Sequence, residues 1–308
     1  MTRRLSDGVA MGKGGRPNSF SLVETLVAIA ILSIIMIVLL GMVTSLLATW
    51  QMGQAKNERR TIGQAVLDRM SRDLCQVTLP TSRSNTNSLE FLINPSGVGT
   101  SYEFPQAVFW QAPVATDGGT NGNLAVVGYF VQWVTNGTSA TPCLSRVLIN
   151  PSSTTSYDIY SSPASWISTG ILTNNAPATA ASGYSGLLAN NVLGLWVQAL
   201  DPRGNPIQQS AGMAGENFDS RLGYSYTNSV YPTVPSTNLP PVLPASVQIA
   251  IIVIDSRTAG HLTGTEKPTT LTGNFWGDIQ NFYTSLPKVI QKGAEIQTTT
   301  VDLANGPR

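Results

Sequence analysis

The residue in this sequence best placed to do unusual chemistry is Glu24. It stands one turn inside a stretch that is otherwise apolar, and from Thr25 to Thr49 no charged residue follows it. A bare carboxylate inside a bilayer costs on the order of 2–3 kcal/mol, so an acid kept at that position calls for a compensating partner. Other groups with chemical potential are sparse. His261 is the only histidine, in Ala259-Gly260-His261-Leu262, and no Gly-x-Ser-x-Gly elbow occurs anywhere. A hydrolase needs a nucleophile, a base and an orienting group within reach of one another, and Cys75 has no identifiable base. Glu216, Asp219, Asp255, Glu266 and Asp278 are scattered and do not recur at every second position as calcium-loop ligands do. With two cysteines and one histidine, no metal site, catalytic constellation or cofactor is expected. Cys75 and Cys143 are open to two readings. One is a disulfide closing a long loop, of a kind typically contributing about 2–4 kcal/mol; the other is a pair of unrelated thiols.

The elements that carry these residues begin with the apolar run itself. Twenty-five helical residues at about 1.5 Å each span roughly 37 Å, more than the roughly 30 Å hydrocarbon core of a bilayer. A cleaved secretory signal has a shorter core, roughly 7–15 residues, ending in small residues; this run is too long and carries its acid at the wrong end. A plain membrane anchor explains the length but leaves Glu24 unexplained. Arg3, Arg4, Lys13 and Arg16 against the single acid Asp7 precede the span, which keeps that end in the cytoplasm and puts the remainder outside. Met11 is an alternative start. Gly12-Lys13-Gly14-Gly15 faintly resembles a phosphate loop but lacks its spacing and a preceding strand.

Beyond Trp50 the helical pattern turns amphipathic. Ile62, Val66, Met70 and Leu74 recur every four residues among Glu58, Arg59, Arg60, Asp68, Arg69 and Arg72, which predicts one helix from about Phe20 to Val77, stopped by Pro80. Gly41, Gly53 and Gly63 are its expected soft points. After Pro80 the period changes. Leu89–Ile93, Ala107–Trp110, Leu124–Val134, Ser145–Ile149, Val192–Leu200 and Val247–Asp255 read as strands bounded by Gly, Pro, Asn, Ser and Thr, the last of them central. Pro151 to Ala189 and the proline-rich Asp201 to Pro244 read as long loops, which are functional or poorly ordered in most domains. Phe275 to Leu286 repeats aromatic and aliphatic residues at helical steps, a stripe that fits packing on the head, and Ala294 to Leu303 alternates like a closing strand.

The whole is an α+β chain of 308 residues with 42% hydrophobic and only 11% charged residues, at a formal net charge of +1. That length suffices for an anchor and one sizeable head with its own core. Near-neutral balance without a basic patch argues against nucleic acid as a partner.

Asn18-Ser19-Phe20-Ser21-Leu22-Val23-Glu24 and the apolar run behind it resemble the prepilin signal of type IV pilins and of type II secretion pseudopilins. The resemblance is strong over residues 19–49. It implies a cytoplasmic leader, 1–19, removed by prepilin peptidase between Ser19 and Phe20, with N-methylation of Phe20. It further implies a membrane-spanning helix half, 20–49; an amphipathic soluble half, 50–79, packed on an antiparallel sheet; and a β-rich head with long loops, 80–308. Ser19 replaces the more usual glycine. In that family the glutamate at the fifth mature position, here Glu24, pairs with an N-terminal amine during assembly. Opposite charges about 4 Å apart gain roughly 4 kcal/mol at an effective dielectric near 20, enough to offset burial of the acid.

Four shorter phrases are similar to J-type minor pseudopilins and their PilW-like pilus relatives: Leu67 to Leu74, Leu188 to Leu195, Leu243 to Ile249 and Thr298 to Leu303. The resemblance implies a non-enzymatic minor subunit whose partners are the peptidase, other pilins or pseudopilins and the bacterial inner membrane. Its head faces the periplasm before the subunit joins a pseudopilus or surface pilus. Two further readings are a pilus-tip adhesin that binds ligand through its long loops, and an anchored enzyme centred on His261.

Overall fold

Helix α1, Leu22–Leu74, runs for 53 residues, as the uninterrupted Leu, Ile, Ala and Met content and the lack of proline predict. The computed structural model describes residues 21–78, 89–118, 122–136, 139–153, 157, 159, 166–175, 186–209, 216–227, 235–238, 242–304 and 306. The leader, Ser19, Phe20 and Pro80 lie outside the described residues. At the start of α1, the Ser21 hydroxyl accepts a hydrogen bond from the Glu24 amide at 3.2 Å, the first half of a Ser-x-x-Glu capping box. At its end, Gln76 N–H donates to Asp73 C=O and Val77 N–H to Leu74 C=O, tighter turns that close the helix.

The chain forms two compact units, Met1–Gly53 and Gln54–Arg308. In the first, the described residues are exposed throughout. The hydroxyls of Thr25, Ser33, Thr44 and Thr49 donate back to carbonyls three or four residues earlier, at 2.8–3.0 Å. These four polar side chains of the apolar run are thereby satisfied within their own helix, which is what a hydrocarbon surround demands. Among the described residues, α1 is the one helix long and apolar enough to cross a membrane.

The second unit contains the rest of α1 and the sheets. In chain order the elements are β1 (Leu92–Ile93), β2 (Ala107–Ala112), β3 (Ala125–Asn136), β4 (Ser139–Ile149), α2 (Thr169–Asn175), β5 (Gly186–Asn190) and β6 (Val192–Leu200). They continue with β7 (Phe218–Asp219), β8 (Tyr224–Thr227), β9 (Pro235–Asn238), β10 (Ser246–Ile254), α3 (Ser256–Ala259), α4 (Phe275–Ser285), α5 (Lys288–Lys292) and β11 (Ala294–Asp302). The larger sheet has the order β5-β4-β3-β2-β1-β7, the smaller one β11-β10-β6, and β8 pairs with β9 alone. All these strand pairs are antiparallel. The α+β architecture expected from the sequence is therefore present, with the second part of the long helix packed on antiparallel sheet.

Strand β10 is central, as its near-continuous apolar run predicts. Ile249, Ile251 and Val253 point into a core shared with α1 and the larger sheet. Ala250, Ile252 and Ile254 point the other way, against Phe275, Ile279 and Ile290 of α4 and α5. A third cluster, with Phe109, Phe130 and Trp166, covers the far face of the larger sheet. Both long loops need correction. Pro151 to Ala189 contains α2 and most of β5, and Asp201 to Pro244 contains β7, β8 and β9. These elements span two to seven residues and are rich in Gly, Asn, Ser and Thr, so no periodicity announces them. Strand β4 starts at Ser139, earlier than Ser145, because the β3–β4 ladder runs out to Asn136 and Ser139.

Candidate functional site

The site is α1 itself: its acid at one end and the face by which its second half is held at the other. Glu24 lies in the first turn of α1 and is exposed. The positive end of the helix dipole and the free amides of that turn favour a negative charge there. Ser21 was not singled out in the sequence, although Ser-x-x-Glu ahead of an apolar run is the signature that finds it.

The holding face begins one turn into the second unit. Glu58 accepts from the hydroxyl and the amide of Ser256. The Arg59 guanidinium reaches Asp255 at 2.7 Å and Glu295 at 3.5 Å. Asp255 also caps α3 by accepting from the Thr258 amide at 2.9 Å. Burial opposes ionisation of Asp255, yet the hydrogen bonds from Thr258 and the charge of Arg59 outweigh it and hold the carboxyl below its usual range. Gly63 comes next. It is a close-approach residue rather than the soft point expected: a Cβ there would fall 2.0 Å from the side-chain oxygen of Gln297. The Gln297 amide meanwhile donates to the Arg59 carbonyl at 3.1 Å, fixing β11 against the helix backbone.

Further along, Val66, Leu67, Met70 and Leu74 are buried and Ile62 packs beside them, the stripe predicted by the four-residue spacing. Among them sits Asp73, a buried acid. It accepts from Tyr129 Oη at 2.6 Å and from Arg146 Nε at 2.7 Å, and Arg69 lies 3.4 Å away on the same helix. Burial, then the Asp73 carboxylate, push the Tyr129 hydroxyl well above its ordinary range, so it stays a donor. Sequence reasoning missed this network. Arg146 is 73 positions from Asp73, and nothing local to either residue names the other.

The remaining candidates are dispersed. Cys75 is exposed just past α1, and Cys143 is buried in β4; both are free thiols, so the disulfide reading gives way to the unbridged one. The Cys143 Sγ is placed instead against Asn190 Oδ1 at 3.3 Å, and burial raises that thiol to about 11. His261 is exposed after α3. Glu266 accepts from Thr263 and Gly264 in its own turn. Asp219 neighbours a buried Glu90, itself held by Trp166 and Arg221. Burial, chiefly, raises Glu90 to about 7. Glu216 and Asp278, far apart in sequence, are brought together by neighbouring donors, Glu216 accepting from the Gly273 amide and Asp278 from the Thr272 amide. Among the described residues no group of three or more His, Cys, Asp and Glu side chains could hold a metal ion.

An acid in the first turn of α1, followed by an exposed and uncharged stretch to Thr49, thus coincides with a recognised sequence pattern. Residues 16–40 match the family model of the prokaryotic N-terminal methylation motif. No curated protein matches the chain. A solved type IV-like pilin from Thermus thermophilus resembles it at 12% identity and a TM-score of 0.35, over 82% of this chain and 98% of that one. The matched stretch reaches into the exposed apolar part of α1, which is long and apolar enough to cross a membrane.

Proposed function

We propose that this chain is a pilin-type subunit, a minor pseudopilin or minor pilin, whose work is assembly rather than catalysis. Prepilin peptidase cuts between Ser19 and Phe20 and methylates the new amine of Phe20. The subunit waits in the inner membrane with its amino terminus cytoplasmic and its head periplasmic, and then leaves the bilayer to join a filament. There Glu24 pairs with an N-terminal amine, its own or a neighbour's, and sets the axial register. The similarity of Leu67 to Leu74 and of the later strand phrases to J-type members supports a place where the pseudopilus or pilus begins.

One observation carries the proposal: where the matched stretch, 16–40, runs through α1 from Leu22 onward, Glu24 is the lone charged side chain on an exposed apolar helix. The test is the mature amino terminus, read by mass spectrometry of protein purified from membranes. A chain starting at Phe20 and heavier by one methyl group is expected; a chain starting at Met1 or Met11 overturns the proposal. Glu24→Ala then isolates the assembly step. It is expected to be cut normally yet to fail to co-purify with the other subunits of the filament, and normal co-assembly would remove the pairing role.

A further inference from the structure

Away from α1, the two carboxyl groups of Glu216 and Asp278 are buried together, with residue exposures of 0% and 5%. Their hydrogen bonds can be counted oxygen by oxygen. Asp278 Oδ2 accepts from the Thr272 amide at 2.7 Å and Oδ1 from the Thr272 hydroxyl at 2.6 Å. Glu216 Oε2 accepts from the Gly273 amide at 2.9 Å. Gly273 sits at φ +81°, a conformation that suits glycine and turns its N–H toward the acid. Glu216 Oε1 is fully buried and, among the described residues, has no hydrogen-bond partner. Four oxygens therefore meet three donors, and the adjacent residues Thr272 and Gly273, one bound to each acid, bring the two carboxyls side by side.

A buried acceptor left without a donor costs on the order of 1–3 kcal/mol, and more for a charged group. Two adjoining carboxylates cannot both ionise cheaply. Neither acid belongs to an ion pair among the described residues. Lys267 lines a cavity of about 320 Å³ together with Asp278. Its ammonium stands over the rings of Phe104 and Trp133 instead, at 5.6 and 5.7 Å. On the other side, Gln106 meets Glu216 only through the backbone, its amide donating to the Glu216 carbonyl at 2.6 Å. The missing donor is supplied most simply by one proton.

We propose that Glu216 and Asp278 share a single proton, forming a pH-sensitive fastening between the segment entering β7 and the first turn of α4. With Glu216 protonated, Oε1–H donates to Asp278 and every carboxyl oxygen is satisfied. Removing the proton leaves two buried negative charges in contact, and the Thr272–Gly273 turn parts from Glu216. The first turn of α4 also carries Trp276, a large apolar side chain that stays 47% exposed, so the fastening governs how firmly that surface is presented. Burial first, and then the charge of Asp278, raise the Glu216 carboxyl to about 7, against the smaller opposing effect of the Gly273 amide. A folded value raised above the unfolded one means that the stabilisation is complete in acid and is lost as the pH climbs through neutrality.

The experiment is hydrogen exchange, followed by mass spectrometry, on the full chain in detergent, reading peptides that contain Thr272 and Gly273. After correction for intrinsic exchange, protection should fall roughly tenfold or more between about pH 6 and about pH 8 in the native protein. In Glu216→Gln a permanent N–H replaces the shared proton, and protection should hold across that range. Asp278→Asn supplies a permanent donor from the other side and should also abolish the step, which keeps the test decisive if the glutamine variant does not fold. An equal step in native and variant proteins overturns the proposal. So does calcium-dependent protection at both pH values that a chelator removes, because a metal ion would then fill the gap.

Discussion

Residues 22–53 and 54–74 belong to one helix, yet they make opposite use of their side chains. In the first stretch Leu26, Ile34, Ile37 and Leu46 are all more than half exposed, charge is absent after Glu24, and hydroxyls turn back on their own helix. In the second, apolar residues occur every fourth position and are buried, and charged residues reach across to other elements: Glu58 to Ser256, Arg59 to Asp255 and Glu295, Asp73 to Arg146 and Tyr129. An apolar solvent removes any gain from burying one face and penalises every unpaired polar group. Water rewards a stripe and tolerates the rest. The same backbone is thus written in two chemical languages, and the change falls near Gly53, where the two compact units divide.

The comparison breaks most severely at Asp73. Its removal takes from the buried Arg146 a carboxylate acceptor at 2.7 Å, and losing one partner of a buried pair costs about 3–5 kcal/mol. Asp73→Ala is expected to lower the thermal midpoint of the head by several degrees or more in detergent, measured by near-ultraviolet circular dichroism. A shift within error would mean that the second half of α1 is held by its apolar stripe alone.

Arg59→Ala comes next. It deletes two charge-assisted hydrogen bonds at a partly buried position, which predicts a loss of roughly 1–3 kcal/mol. The pH profile sharpens the case. Because the folded Asp255 carboxyl lies below its usual range, its contribution is present above the ordinary carboxylate value and is lost as the pH falls through the folded one. Melting curves recorded from neutral to acid pH should therefore show a steeper loss for the native protein than for Arg59→Ala. Parallel curves would show that Arg59 does not set the state of Asp255.

These two residues also mark what the sequence could convey. The length of α1, its stripe at Ile62, Val66, Met70 and Leu74, and the central place of β10 follow from periodicity over many residues, a signal that averages out local exceptions. Glu24 was legible because a single acid in an uncharged run has no bland explanation. Asp73 was not, because it sits among Arg69, Arg72 and Asp68 and looks like one more charge on a solvated face; only the pairing of β3 with β4 brings Tyr129 and Arg146 onto it. Glu216 and Asp278 were hidden in the same way, by a chain path through short elements that carry no period of their own. Gly63 was misread because a glycine in a helix announces flexibility, while its actual neighbour, Gln297, lies at the far end of the chain.

The smallest effect belongs to the exposed half, and it is the one that best isolates the role of solvent. Ile37 is 69% exposed, so it has no packing partner whose loss could be felt in the folded head. Ile37→Ala should leave the unfolding free energy of the head within about 0.5 kcal/mol of the native value, as surface substitutions do. Met70→Ala, a change of similar size at a fully buried position, should cost about 2–5 kcal/mol. The contrast is meaningful only because both substitutions shorten an apolar side chain in the same helix. If Ile37→Ala destabilised the head as much as Met70→Ala, the apolar half would have to be buried by the protein itself. The reading of residues 22–53 as a segment that meets lipid or neighbouring subunits would then fail.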